Sequence, residues 1–319
     1  MVTPRTSQIG FESISTCKRS ELTESVVKRD EAFALPRFFL FRTDLSNLCR
    51  NGYHGDMPKK REITIVSWNV NGLRAAGRKG FSEWIGKGEY DVVCIQETKL
   101  QNVEQLPDEL QGPDGYYAYF HCATEKKGYS GTAIYTKEEP RVVRTHFGDD
   151  SLLSQEGRII EMEFPEFVLL NIYFPNGNMS EERLRYKLHF YDEFLEHVSR
   201  LSSEGKKVLF VGDVNTSHHE IDLARPKENV NNSGFLRIER DWMDRLAPAG
   251  FHDTFRTLHP DEVAYTWWNM RFRARSSNVG WRFDYCFAND VLLPAVKEAF
   301  ILPDIEGSDH CPVGVTLSV

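Results

Sequence analysis

Gly307-Ser308-Asp309-His310-Cys311-Pro312 runs directly into the apolar segment 313–317 near the end of the chain. A carboxylate followed at once by a histidine, in a turn that leads into a buried strand, places a metal-capable oxygen and a near-neutral proton carrier at one sheet edge. Alone, the pair reads as a surface turn with a hydrogen-bonded histidine. Four earlier apolar runs, however, finish in similar chemistry: Asn69 and Asn71, then Glu97, then Tyr173 and Asn176, then Asp213 and Asn215. Polar side chains repeated at strand ends are how α/β proteins build sites, so the repetition predicts one site fed by five strands.

Working outward, segment 63–68 is apolar on both faces apart from Thr64 and Ser67, as a central strand requires. A short helix carrying Phe81, Trp84 and Ile85 precedes the buried run 92–95. Segments 116–120, 132–136, 141–145, 158–164 and 167–174 follow as strands with no helix between them, which predicts antiparallel pairing. A long helix is expected over 181–203, with Leu184, Leu188, Tyr191, Leu195 and Val198 on one face, Ser180 as N-cap and Gly205 closing the end. Strand 208–211, a helix over 235–246, and strands 265–268, 281–288, 296–301 and 313–319 complete the pattern. The mixture predicts an α/β fold, a four-layer α/β sandwich of two packed mixed sheets flanked by helices.

With 319 residues, 40% of them hydrophobic, the chain can bury a large core, and no apolar run approaches the roughly 20 residues of a membrane-spanning helix. The net charge of -8 argues against indiscriminate polyanion binding, so any nucleic-acid surface must be a local basic groove. Six scattered cysteines, without a Cys-x-x-Cys pair, indicate reduced thiols inside a cell rather than a zinc site or a disulfide scaffold; whether the compartment is cytoplasm, nucleoid or nucleus stays open. Residues 1–57 lack periodicity and mix basic with acidic side chains, which reads as a poorly ordered extension ahead of a catalytic domain at 58–319. The run 35–41 is a candidate isolated strand or docking segment within it.

Each strand-end group has an ordinary explanation: Asn69 and Asn71 as turn formers, Glu97 as a solvated acid, Asp213 and Asn215 as an Asx turn. Together they supply hard oxygen ligands, a proton acceptor, a histidine and neutral hydrogen-bond donors. That inventory suits hydrolysis of a phosphodiester with a magnesium ion.

Six motifs carry a resemblance. They are Trp68-Asn69-Val70-Asn71-Gly72-Leu73-Arg74, Gln96-Glu97-Thr98-Lys99, Gly128-Tyr129-Ser130-Gly131, Gly212-Asp213-Val214-Asn215, Asn278-Val279-Gly280-Trp281-Arg282-Phe283-Asp284-Tyr285 and the opening Gly307 to Pro312 stretch. In this order they resemble the exonuclease III family of apurinic/apyrimidinic (AP) endonucleases, with its DNase I-like fold, from residue 63 to the end. The resemblance implies hydrolysis of the DNA backbone 5′ to an abasic site, leaving a 3′-OH and a 5′-deoxyribose phosphate, with 3′-repair diesterase and 3′→5′ exonuclease activities beside it. It implies magnesium, with manganese as a substitute, and a monomer acting on double-stranded DNA that contains abasic sites or blocked 3′ ends. A broader metal-dependent phosphoesterase and a non-catalytic DNA-binding relative share the fold and stay as alternatives.

Residue by residue, the resemblance makes Glu97 the principal metal ligand, with Asn69 and Asp309 near the ion. Asn71 takes a position that is Asp in some relatives. Asp213, held by Asn215, matches the group that activates water, while Tyr173 and Asn176 match groups that hydrogen-bond the phosphate. His310 and its carboxylate partner Asp284 are read as a pair serving either as a cation or as a base. Trp267, Trp281 and Phe283 would wall the pocket for a flipped-out abasic sugar. Arg74, Lys79, Lys126, Tyr129 and Arg271, together with Lys127, Arg273 and Arg275, are expected to form the DNA-tracking patch. Met179 and Arg271 stand where some relatives insert an Arg and a Met into DNA, so one apolar wedge and one cation are expected with their positions exchanged.

Overall fold

The computed structural model describes residues 60–124, 126–147, 155–178, 180–271 and 273–319. The expected extension over 1–57, including the run 35–41, falls outside these residues. Residues Met57–Val319 make one compact unit. Its strands are β1 (Glu62–Asn69), β2 (Val92–Gln96), β3 (Tyr117–His121), β4 (Thr132–Thr136), β5 (Val142–Arg144), β6 (Ile159–Glu163), β7 (Val168–Tyr173), β8 (Val208–Asp213), β9 (Phe251–Asp253), β10 (Trp267–Trp268), β11 (Gly280–Trp281), β12 (Asp284–Asn289), β13 (Val296–Ile301) and β14 (Val313–Ser318). The helices that matter below are α1 (Ser82–Gly86), α2 (Glu181–Ser203), α3 (Arg237–Met243) and α4 (Thr254–Leu258).

Two six-stranded sheets form, in the orders β13-β14-β1-β2-β4-β3 and β5-β6-β7-β8-β12-β9. Each has one parallel pair at its centre, β1 with β2 and β7 with β8, and every other pairing is antiparallel. Side chains alternate across each strand. Ile65, Cys94, Leu169, Val211 and Val315 fill the space between the sheets. Val66, Val93 and Ile95 turn outward under Phe81 and Trp84, and Leu170 and Phe210 turn outward under Phe190, Phe194 and Val198 of α2. The result is the expected helix-sheet-sheet-helix stack. Each large apolar side chain fully buried in these layers contributes about 1.5–3 kcal/mol, which is why both faces of the central strands are apolar.

The topology also explains why polar residues distant in sequence meet. The C-terminal ends of β1, β2, β7 and β8 lie at one edge, and the two antiparallel neighbours β14 and β12 begin there. Ser67 pairs with Val313, so the Asp309-His310 turn arrives beside Asn69, and Asp284 stands directly opposite Asp213. Where β7 and β8 pair at Ile172 and Gly212 a side chain is excluded: Gly212 has φ 142°, and a Cβ there would lie 1.8 Å from the Ile172 carbonyl oxygen.

Three expectations need correction. The apolar face of α2 is rotated, with Leu184 and Leu188 only half buried while Lys187, Phe190, Phe194 and His197 are buried. Lys187 is tolerated there because Glu239 of α3 accepts from it at 2.7 Å. The expected strand 281–288 is two strands, because Arg282 leaves the ladder to donate its backbone N–H to the Asp222 carbonyl at 2.7 Å and its Nε to the Asp222 carboxylate at 2.8 Å. Strand β9 and helix α4 had not been expected at all.

Candidate active site

Three of the strand-end residues, Asn71, Glu97 and Asn215, adopt left-handed backbone angles with φ 49°, 53° and 54°. Such conformations are uncommon outside glycine and concentrate where a side chain must be aimed. Here Glu97 and Asn215, from the ends of β2 and β8, enter a shared cavity of about 390 Å³ lined also by Asp309, His310 and Asn176, while Asn71, at the end of β1, reaches its edge by donating to Asp309.

At its floor, Asn69 is fully buried and its amide nitrogen bridges two carboxylates, donating to Glu97 at 3.1 Å and Asp213 at 2.8 Å. Its oxygen accepts from the Asn71 N–H at 3.0 Å. Asn69 therefore presents a donor, not an oxygen ligand, to the acids around it. Glu97 also accepts from the Tyr173 hydroxyl at 2.7 Å and lies 2.9 Å from the Lys99 ammonium. Burial opposes ionisation of Glu97, but the Lys99 charge and the hydrogen bonds from Lys99, Tyr173 and Asn69 hold its carboxyl below the ordinary value. Burial and nearby Glu97 push the Tyr173 phenol well above its usual pKa, so it stays a neutral donor.

Asp309 accepts from Asn71 at 2.8 Å and from the Trp267 indole at 3.1 Å. Burial disfavours its charge, yet His310, Asn71 and Trp267 keep its carboxyl below the ordinary value. Glu97 and Asp309 are thus two ionised oxygen donors on one cavity, a set that fits a hard divalent cation.

Asp213 is only 1% exposed. It accepts from the backbone N–H of Asn215 at 2.8 Å and from the Asn215 side chain at 3.2 Å, and Asn215 in turn accepts from Asn176 at 3.1 Å. Burial pushes the Asp213 carboxyl up to about 7; His310 opposes the shift and Asp284 adds to it. His310 donates through Nδ1 to Asp284 at 2.8 Å, while its Nε2 stands 4.0 Å from Asp213. Burial disfavours the imidazolium, but Asp284, Asp213 and Asp309 raise its pKa to about 10. Among the described residues, Asp213, Asp284 and His310 bring ligand-type atoms within 4.8 Å of one another. With Nδ1 bonded to Asp284 and Nε2 facing Asp213, the ring is placed to handle protons and negative charge.

Trp267, Trp281 and Phe283 all line this cavity, with ring centroids 5.2 Å to 6.4 Å apart. Asn178, Asn232 and Ser233 also line the cavity and had not been singled out. Thr266 was missed as well: its hydroxyl donates to Asp284 at 2.6 Å and accepts from the Phe283 and Asp284 N–H groups, fixing the carboxylate behind His310. An isolated Thr carries no sequence signal for that role. Lys99 could have been noticed, since it ends the Gln96 to Lys99 motif.

The expected DNA patch divides. Arg74, Lys126, Arg271 and Arg273 are exposed. Lys126 stacks over the Tyr129 ring at 4.2 Å, and Lys79 is exposed but donates to the Gly307 carbonyl at 3.1 Å. Arg275 is spent on the carbonyls of Pro303, Ile305 and Ser308 and serves as a loop clamp rather than a free cation. Met179 falls outside the described residues. Beside Arg271, Met270 is 78% exposed, a large apolar side chain held in water.

The match to an endonuclease/exonuclease/phosphatase family model runs over residues 66–310 and so spans every strand-end group described above. The chain belongs to this family. It is 41% identical over 259 residues to an exodeoxyribonuclease of Bacillus subtilis, covering 81% of this chain and all of that protein. It is 40% identical to the DNA repair nuclease APEX1 of Danio rerio, covering 81% of this chain and 83% of the relative. Among solved structures, an AP endonuclease of Leishmania major superposes with a TM-score of 0.74 at 29% identity, over 81% of this chain and 88% of that one. The exonuclease III resemblance and the α/β sandwich both agree with these relatives. Divalent-metal dependence goes with the family, and no described helix is long and apolar enough to cross a membrane.

Proposed function

We propose that this protein is an AP endonuclease that hydrolyses the DNA backbone 5′ to an abasic site, leaving a 3′-OH and a 5′-deoxyribose phosphate. It acts as an intracellular monomer on duplex DNA with abasic sites or blocked 3′ ends, with Mg²⁺ as the working ion and Mn²⁺ as a substitute. The observation that carries the reading is the cavity itself: an aromatic wall of Trp267, Trp281 and Phe283 opens onto Asp213 and His310 in one enclosure of about 390 Å³. On this reading the aromatic wall receives the flipped-out sugar, and the side chains of Trp267, Trp281 and Phe283 stand where its base would otherwise go.

Glu97 and Asp309 would hold the metal ion, which supplies Lewis-acid stabilisation of charge on the phosphoryl and leaving oxygens. Asp213, oriented by Asn69 and Asn215, accepts the proton of the attacking water. His310, kept cationic by Asp284, stabilises the charge that builds on the phosphate, Asn176 orients its oxygens, and Tyr173, whose one O–H goes to Glu97, holds that carboxylate in place. The test is incision of a defined abasic duplex and its intact counterpart, with magnesium and with chelator. Cleavage of both duplexes alike would reduce the protein to a broader phosphoesterase, and binding without cleavage to a DNA-binding relative.

Glu97→Gln is expected to raise the magnesium concentration for half-maximal incision about 10-fold or more, with a matching loss of turnover at limiting metal. Duplex affinity in chelator should change little. A wild-type magnesium titration curve would remove Glu97 from the metal site.

The exposed loop gives a separate test. Arg271→Ala should weaken abasic-duplex binding and flatten the log-log salt dependence by about one unit, as expected for one lost phosphate contact. Met270→Ala should weaken abasic binding without altering that slope, because an apolar wedge offsets unstacking rather than charge. Equal small losses on abasic and intact duplexes from both variants would make these ordinary loop residues.

A further inference from the structure

We propose that Glu156 is a positioning residue for the reaction, one carboxylate that sets the DNA-facing Tyr129 and the site-facing Tyr173 together through two arginines. The inference rests on the reading above and extends it to a residue outside the cavity. Glu156 accepts from Arg158 Nε at 2.6 Å and from both terminal nitrogens of Arg183, at 2.9 Å and 3.1 Å. Each arginine then donates to the same phenolic oxygen, Tyr129 Oη, at 3.0 Å. With its oxygen accepting twice from cations, Tyr129 has only its own O–H left to give. Charge-assisted bonds of this kind polarise that O–H and suit it to an anionic phosphate oxygen.

The second arm runs inward. Arg158 is 1% exposed, donates to the Tyr173 carbonyl at 3.0 Å, and packs its guanidinium 4.6 Å from the Tyr173 ring centroid. Tyr173 returns its backbone N–H to the Arg158 carbonyl at 2.8 Å, and its hydroxyl reaches Glu97 at 2.7 Å. A buried guanidinium must be paired, and Glu156 is the carboxylate on it. Without that charge Arg158 has reason to shift toward water, taking its support from the carbonyl and ring of Tyr173. Arg183, at the start of α2, loses its bidentate anchor in the same step. One carboxylate therefore connects grip on DNA with the geometry at Glu97.

The test is a set of cycles on the abasic duplex with Glu156→Gln, Tyr129→Phe and Tyr173→Phe, with thermal midpoints recorded throughout. Tyr129→Phe is expected to raise KM alone and Tyr173→Phe to lower kcat alone. Glu156→Gln should do both, each by about 10-fold to 10²-fold, as small misplacements of positioned groups do. The Glu156→Gln/Tyr129→Phe double variant should have a KM little above the higher of its two single values, and Glu156→Gln/Tyr173→Phe should lose little more kcat than its more damaging single change. Fully multiplicative losses, or a lowered thermal midpoint with kcat and KM unchanged, would overturn the proposal. Should Glu156→Gln fail to fold, Arg183→Met, which leaves the Arg158 arm paired, should raise KM and spare kcat; an equal fall in kcat overturns it. If wild-type enzyme prefers another phosphodiester, the AP endonuclease reading fails, and the same cycles on that substrate still decide the coupling.

Discussion

His310→Asn is expected to lower turnover on an abasic duplex about 10²-fold or more while leaving duplex affinity nearly unchanged. Asparagine keeps a donor near Asp284 but carries no charge and cannot exchange a proton, so the loss, compared on the plateau above each enzyme's rising limb, reports what the imidazolium does. The wild-type ring is fixed from behind: Asp284 accepts its Nδ1–H at 2.8 Å, and Thr266 donates to the same carboxylate oxygen at 2.6 Å. That arrangement leaves Nε2 facing the cavity, 4.0 Å from Asp213. Asp284→Asn should cost less, because the imidazole remains although its orientation and charge are less secure. If the two act as one unit, the double variant loses little more than His310→Asn alone. Single-turnover rates on one duplex decide it; a double variant whose loss equals the product of the single losses would show independent roles.

How much of this could be read from the chain follows from where the physics is local. Strand ends were legible because a buried apolar run that stops in polar, metal-capable side chains is unusual, and four such stops coincide with the ends of central strands β1, β2, β7 and β8 while the Asp309-His310 pair leads into β14. Helix α2 was legible at both ends. Ser180 accepts from the Arg183 N–H at 3.1 Å, and Gly205 takes φ 77° just past the last turn. Its buried face was misjudged because Lys187 and His197 are polar by type and buried by pairing, with Glu239 and Glu161 on other elements. No periodicity encodes a partner that distant. Strand β9 is three residues long, too short for alternation to show. In the site, Glu97, Asp213, Asp309 and His310, which line one cavity, stood out through their motifs. Those that orient them, Thr266 behind Asp284 and Glu156 behind two arginines, depend on contacts no motif records.

Asp213→Asn should be at least as damaging as His310→Asn, about 10²- to 10⁴-fold in turnover, and it should also remove a limb of the pH profile. Asp213 lies among fixed donors from Asn69 and Asn215, so an amide in its place fits the space but faces those donors with one acceptor fewer and cannot take a proton. Burial raises its carboxyl to about 7, with His310 opposing and Asp284 adding to the shift. Below that value the group is a neutral acid and cannot act as the base. Incision by wild-type enzyme should therefore rise with pH along a limb displaced above the ordinary carboxylate range, as Asp213 loses its proton, then fall above the ordinary histidine range as His310 gives up its own. The coupling has a definite sign. His310 lowers the Asp213 pKa, so His310→Asn removes a favourable positive charge and must move the rising limb to higher pH, while Asp213→Asn must flatten it. Profiles of kcat/KM taken at saturating magnesium at each pH read both effects. A rising limb that persists in Asp213→Asn, or that stays in place or moves to lower pH in His310→Asn, would transfer the base to another group in the cavity.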